Sequence, residues 1–142
     1  MSKSEQQYFV LWASGFEEAM ATLFITELRR ANRRTRLVGL TKRPSSGAFG
    51  LALVPDLTLE EALPLASDAG WVVIPCDANG FRTLRADPRL MPFIKVACQA
   101  KFITGELSAQ DRALFPAIYE QIEVNGQMAQ MLAVVRRMIA EG

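Results

Sequence analysis

The chain has 142 residues, 16 basic against 15 acidic side chains, and a net charge of +1, with half its residues apolar. That length and balance describe one ordinary soluble domain and give no global field for nucleic acid or an anionic membrane. The chain contains no histidine, which removes the usual general base near neutral pH, the usual partner of a nucleophilic serine or cysteine, and the commonest zinc ligand.

The apolar run Tyr8-Phe9-Val10-Leu11-Trp12 predicts a strand covered on both faces. Ala13-Ser14-Gly15 breaks it, and Met20, Leu23, Phe24 and Leu28 then recur at helical spacing. Ser14 followed by Glu17 reads as a capping box for that helix. Strand, turn and helix make the first half of a βαβ unit. Ligands in open α/β sheets sit beyond the carboxyl ends of the strands, so residues 14–18 are the first place to look for function. Arg29, Arg30, Arg33, Arg34 and Arg36 follow. They suit a helix end, with Asn32 capping in the left-handed region. The alternative, an anion or nucleic-acid patch, lacks interleaved aromatics.

Residues 36–40 read as a second strand, and 42–50 carry turn chemistry through Pro44, Gly47 and Gly50. Residues 51–54 return as a short strand, so a hairpin or a short crossing strand is expected. Thr58 with Glu61 is a second capping box, opening a short helix. Trp71-Val72-Val73-Ile74 is a strongly apolar strand that Pro75 stops, and residues 76–80 are expected as a loop at its carboxyl end. Asp87-Pro88 is expected to start a helix as N-cap and first-turn proline, with Leu90, Phe93, Ile94 and Ala97 on its apolar face. Residues 102–107 are a weaker strand. Ser108 with Asp111 reads as another N-cap, with Leu114, Phe115 and Ile118 following, and 122–124 are a short strand or a helix end. Met128 to Ala140 is an amphipathic helix. The alternation argues for a mostly parallel sheet with helices on both faces.

Four segments, Gly15 to Met20, Val38 to Leu40, Gly50 to Leu63 and Trp71 to Leu90, make the chain resemble the ThiJ/PfpI family of the class I glutamine-amidotransferase-like superfamily. The resemblance implies a single domain over residues 1–142. Its fold would be a flavodoxin-like three-layer α/β/α sandwich, commonly as a homodimer. Family members include cysteine-dependent glyoxalases, deglycases, peptidases, chaperones and ligand-sensing domains. Carried over by position, the family's acidic partner falls on Met20. The glycines after its strand-ending proline become Cys76 and Asp77. The elbow cysteine's place falls on Leu107 or Ser108, with Ser108 preferred. The histidine after the nucleophile has no counterpart, and the segments after the elbow are short.

Three side chains are candidates for chemistry. Ser108 could be a nucleophile or only a helix cap. Cys76 could be a displaced reactive thiol with Glu18 as its partner, or a small buried thiol opposed by the charge of Asp77. Cys98 reads as buried structure beside an apolar helix face. The expectation is a scaffold without the catalytic set, acting as a small-molecule-binding or assembly module. Its pocket would be formed by Ser14, Gly15, Glu18, Cys76, Asp77 and Ser108. The alternative is a hydrolase or glyoxalase/deglycase-like enzyme on Cys76 and Glu18. No cofactor or metal is expected. A homodimer and a small-molecule ligand are the expected partners, without membrane or nucleic acid. Two cysteines and a polar amino terminus point to the cytoplasm. Met128, Met131, Leu132 and Val135 are expected to cover an apolar patch with a partner.

Overall fold

The opening apolar run forms the centre of the sheet, because a strand buried on both faces must lie between two others. The computed structural model describes residues 6–116 and 120–141; the expected helical position Ile118 lies outside them. In chain order the elements begin with β1 (Gln7–Leu11), α1 (Glu18–Arg30), β2 (Thr35–Gly39), β3 (Ser45–Ser46) and β4 (Ala52–Leu53). Next come β5 (Leu57–Thr58), α2 (Leu59–Ala62), a 3₁₀ turn (Leu63–Asp68), β6 (Ala69–Ile74), α3 (Ala78–Arg85) and α4 (Leu90–Val96). The last are β7 (Lys101–Thr104), α5 (Ala109–Arg112), β8 (Gln121–Glu123) and α6 (Met128–Glu141).

The main sheet runs β5-β2-β1-β6-β7-β8, and its pairings are parallel. The strand order reverses between β1 and β6. That is the switch point where crossover helices leave on opposite faces and open a crevice at the strand tips. β3 and β4 form a separate antiparallel hairpin.

Register sorts the side chains into two faces. Phe9, Val72 and Phe102 are neighbours across β1, β6 and β7. Phe9 meets Phe93 of α4 edge to face, with ring centroids 5.7 Å apart. Phe102 meets Phe115, which also meets Phe81 of α3. One residue earlier, Tyr8, Trp71 and Lys101 point to the opposite face. There Arg137 of α6 lies over the Trp71 ring, and α1 and α6 pack together. The result is the expected flavodoxin-like α/β/α sandwich. Each large side chain taken fully out of water, such as Phe9 or Phe93, contributes about 1.5–3 kcal/mol.

The Thr58–Glu61 capping box is present in both halves, at 3.1 and 3.0 Å. The one expected at Ser14 and Glu17 is absent. Glu17 is itself the N-cap, without a side-chain bond, and Ser14 is exposed. The physical reason is that the turn is fastened to the next strand: the Glu17 amide donates to the Pro75 carbonyl at 2.7 Å. The expected loop after Pro75 is instead the start of α3. Asp77 caps it, Oδ1 accepting from the Asn79 and Gly80 amides at 3.0 Å. Asp87 caps the turn before α4, accepting from the Arg89 amide at 2.9 Å, and the helix begins only at Leu90. Because α4 stops at Val96, Cys98 leaves the helix and is exposed, not buried as expected.

Three arginines of the cluster are engaged by the fold, while Arg30 and Arg34 are exposed. Arg29 pairs with Asp56, Arg33 donates to the Ile139 carbonyl at 2.6 Å, and Arg36 donates to Gln7 at 2.7 Å. Asn32 has the left-handed backbone expected of it, with φ of 59°. Met131 and Val135 are buried in the chain's own core, so they cannot cover a patch for a partner. No helix among the described residues is long and apolar enough to cross a membrane.

Candidate functional site at the strand tips

The carboxyl ends of β1, β6 and β7 are tied together by their backbones. Besides the Glu17–Pro75 bond, the Gly105 amide donates to the Cys76 carbonyl at 3.0 Å. The approach is close enough to need glycine. A Cβ on Gly105 would lie 2.6 Å from that carbonyl oxygen, and one on Gly80 would lie 3.0 Å from the Gly15 carbonyl. The tips therefore form a tight wall, and Cys76 is part of it.

Cys76 is a free cysteine with 0% of its surface exposed. Burial pushes its thiol up to about 12, and the negative charges of Asp77 and Glu17 push the same way, against a hydrogen bond from the Ala13 backbone. A thiol so held stays protonated and shielded near neutral pH, and the thiolate is the nucleophilic form.

Around this wall stand three carboxylates. Glu17 is half-buried, and its carboxyl is raised from 4.5, first by burial and then by the neighbouring charges of Asp77 and Glu106. Asp77 spends one oxygen on its capping bonds. Glu106 is exposed in the bend directly after β7. None of the three forms an ion pair among the described residues. No group of three or more metal-ligating side chains is placed to hold an ion, again among the described residues.

The residues expected at the site divide. Gly15, with φ of 86°, Cys76 and Asp77 meet there, and Ser14 is exposed on the same turn. Glu18 turns elsewhere: its carboxylate accepts from the Phe49 and Leu51 amides of the hairpin. The carboxylates whose charges bear on the Cys76 thiol are Asp77 and Glu17. Ser108 is exposed and acts as the N-cap of α5, its hydroxyl accepting from the Asp111 amide at 3.1 Å. Asp111 is buried and pairs with Arg85 at 2.6 Å. Met20, at the position of the family's acid, is a core residue with 1% exposure. Glu106 was missed by sequence reasoning. The expected strand over 102–107 enclosed Glu106; because β7 ends at Thr104, the residue instead lies just beyond the strand's carboxyl end.

A concavity lies away from the strand tips, between α1 and α6. It is a groove of about 410 Å³ between Ala19, Thr22, Leu23 and Thr26 on one helix and Met128 and Leu132 on the other. Its lining is mainly apolar.

No protein-family model and no curated protein matches the chain. Solved structures do match in fold. The chain is similar to a cysteine-to-alanine mutant of a DJ-1 superfamily protein from Salmonella typhimurium, with 20% identity, a TM-score of 0.71, and 95% of this chain and 91% of that one covered. It is similar to DJ-1beta of Drosophila melanogaster at 14% identity and TM-score 0.73, covering 97% and 90%. A ThiJ/PfpI domain protein from Brachyspira murdochii aligns at 12% identity and TM-score 0.70, covering 96% of both chains. The architecture is thus that of the α/β sandwiches with a flavodoxin-like sheet. In particular it is the DJ-1/ThiJ/PfpI fold, which the four sequence segments had indicated.

Proposed function

We propose that the chain is a DJ-1/ThiJ/PfpI superfamily member that has exchanged thiol chemistry for binding. In this reading it is a cytoplasmic small-molecule-binding or assembly module, without turnover at Cys76. The observation that carries the proposal is the complete burial of Cys76, with its thiol held at about 12. The ligand would present hydrogen-bond donors or positive charge to Glu17, Asp77 and Glu106, since these carboxylates have no cation of their own among the described residues. Gly15, Ser14 and Ser108 border the same tips.

Alkylation with iodoacetamide at neutral pH, followed by peptide mapping, tests this. Exposed Cys98 should label promptly and Cys76 only after unfolding. Fast, saturable labelling of Cys76 in the native chain would sink the proposal. It would favour the rival enzyme, a hydrolase or glyoxalase/deglycase-like protein, whose Cys76 would have to be uncovered by a conformational change.

The assembly half of the reading is a homodimer. It is supported by the apolar groove between α1 and α6 and by the exposure of Met128 at 57% beside it. Met128 and Leu132, not Met131 and Val135, would make the contact. Sedimentation at micromolar concentration should give a dimer that Leu132→Glu dissociates; a monomeric native chain would overturn the assembly half alone.

A further inference from the structure

Glu18 opens α1, and both its carboxylate oxygens accept from the Phe49 amide at 3.0 Å. Oε2 also accepts from the Leu51 amide at 2.8 Å. Those two amides flank Gly50, whose φ of 95° makes the apex of the hairpin. The β3–β4 ladder has only two residue pairs, Ser45 with Leu53 and Ser46 with Ala52. A ladder that short does not persist in water unaided. Apolar burial does not hold its tip either: Phe49 is 95% exposed and Leu51 44%. What holds it is polar. The Gly15 amide donates to the Ser46 carbonyl at 2.9 Å, and the Ala48 amide donates to the Phe16 carbonyl at 3.0 Å. Only the Glu18 bonds carry a formal charge, and charge-assisted bonds are roughly twice as strong as neutral ones. The fit is close, since a Cβ on Gly47 would collide with the Glu18 side chain.

We propose that Glu18 is a latch. One carboxylate fixes the 45–53 hairpin against the Gly15–Phe16 turn that borders the strand tips, and losing it frees the hairpin while the sheet stays folded. The Glu-Glu pair at the start of α1 then has two separate tasks: Glu17 faces the site and Glu18 holds the strap beside it. The latch does not depend on what binds at the tips or on self-association.

Amide hydrogen exchange on the full chain tests it. In Glu18→Ala, the Phe49 and Leu51 amides should exchange at least about tenfold faster, the loss expected for one or two charge-assisted bonds. Amides of β1 and β6 should keep their protection. Glu18→Gln keeps one acceptor oxygen and should fall between. Gly47→Ala displaces the same carboxylate from the other side. It should reproduce the pattern, and the double variant should be no worse than the worse single one. If Glu18→Ala does not fold, Glu18→Gln and Gly47→Ala carry the test. Unchanged exchange at Phe49 and Leu51 in folded variants would overturn the latch. So would equal loss of protection across β1 and β6, which would make Glu18 a support of the whole fold.

Discussion

The two ends of the central sheet treat charge in opposite ways. At the amino end, Lys101 and Arg137 lie over the Trp71 ring at 5.1 and 5.8 Å. Each also faces both Glu120 and Glu141. Every charge there has an opposite neighbour, and the aromatic floor adds a cation–π attraction. At the carboxyl end, Glu17, Asp77 and Glu106 gather with no cation paired to them among the described residues, and Glu17 is raised, first by its burial and then by the charges of the other two. Paired charges on a buried ring are what a fold needs. Like charges collected at a switch point oppose the fold, and such arrangements cluster where proteins bind or react.

Substitutions at three positions sharpen or break that contrast. The largest effect belongs to the amino end. Trp71→Ala removes a ring that is 98% buried, with 2% exposed, and should cost about 3–5 kcal/mol in urea unfolding. A loss below about 1 kcal/mol, the scale of exposed ion pairs alone, would mean the ring is not the foundation of that end. Next comes Ser108→Ala, which should cost about 1 kcal/mol as a lost helix cap, with Ser108→Asp recovering most of it. If Ser108→Asp recovers nothing, the cap does not explain the residue, and a direct role in ligand contact returns.

The smallest effect is the most diagnostic. Glu17 is an acid whose carboxyl is raised in the folded chain, so its ionisation opposes folding. That penalty is absent below about 4.5, sets in as pH climbs from there through the raised value, and is complete above it. Glu17→Gln should therefore stabilise the chain slightly at pH 7 and make no difference near pH 4, as read by thermal melts across that range. A variant less stable than the parent at pH 7 would show that the carboxylates at the tips are compensated after all.

Much of the fold was legible in the chain. β1, β6 and the parallel alternation followed from apolar runs of strand length, since a central strand needs apolar side chains on both faces. Local caps were read well where the cap bonds its own helix, as at Thr58 and Ser108. They were misread where the turn is committed to another strand: Ser14 and Glu17 have the spacing of a capping box, but the Glu17 amide is already bonded to Pro75. Cys98 was misplaced because α4 ends two residues before it, so its side chain no longer follows the helix register and is exposed. Glu18 was assigned to the site from its place after the turn. Nothing local indicates that its carboxylate would reach a hairpin thirty-one positions away.

Hydrophobic pattern and turn chemistry depend on neighbours in the chain, so the sequence by itself determined the central strands β1 and β6, the first and last helices and the parallel sheet. The burial of Cys76, the separate partners of Glu17 and Glu18, and the nearness of the Glu106 charge to Glu17 were decided only by the tertiary structure. Each depends on how closely segments far apart in the chain approach one another, and those distances exist only once the segments have met.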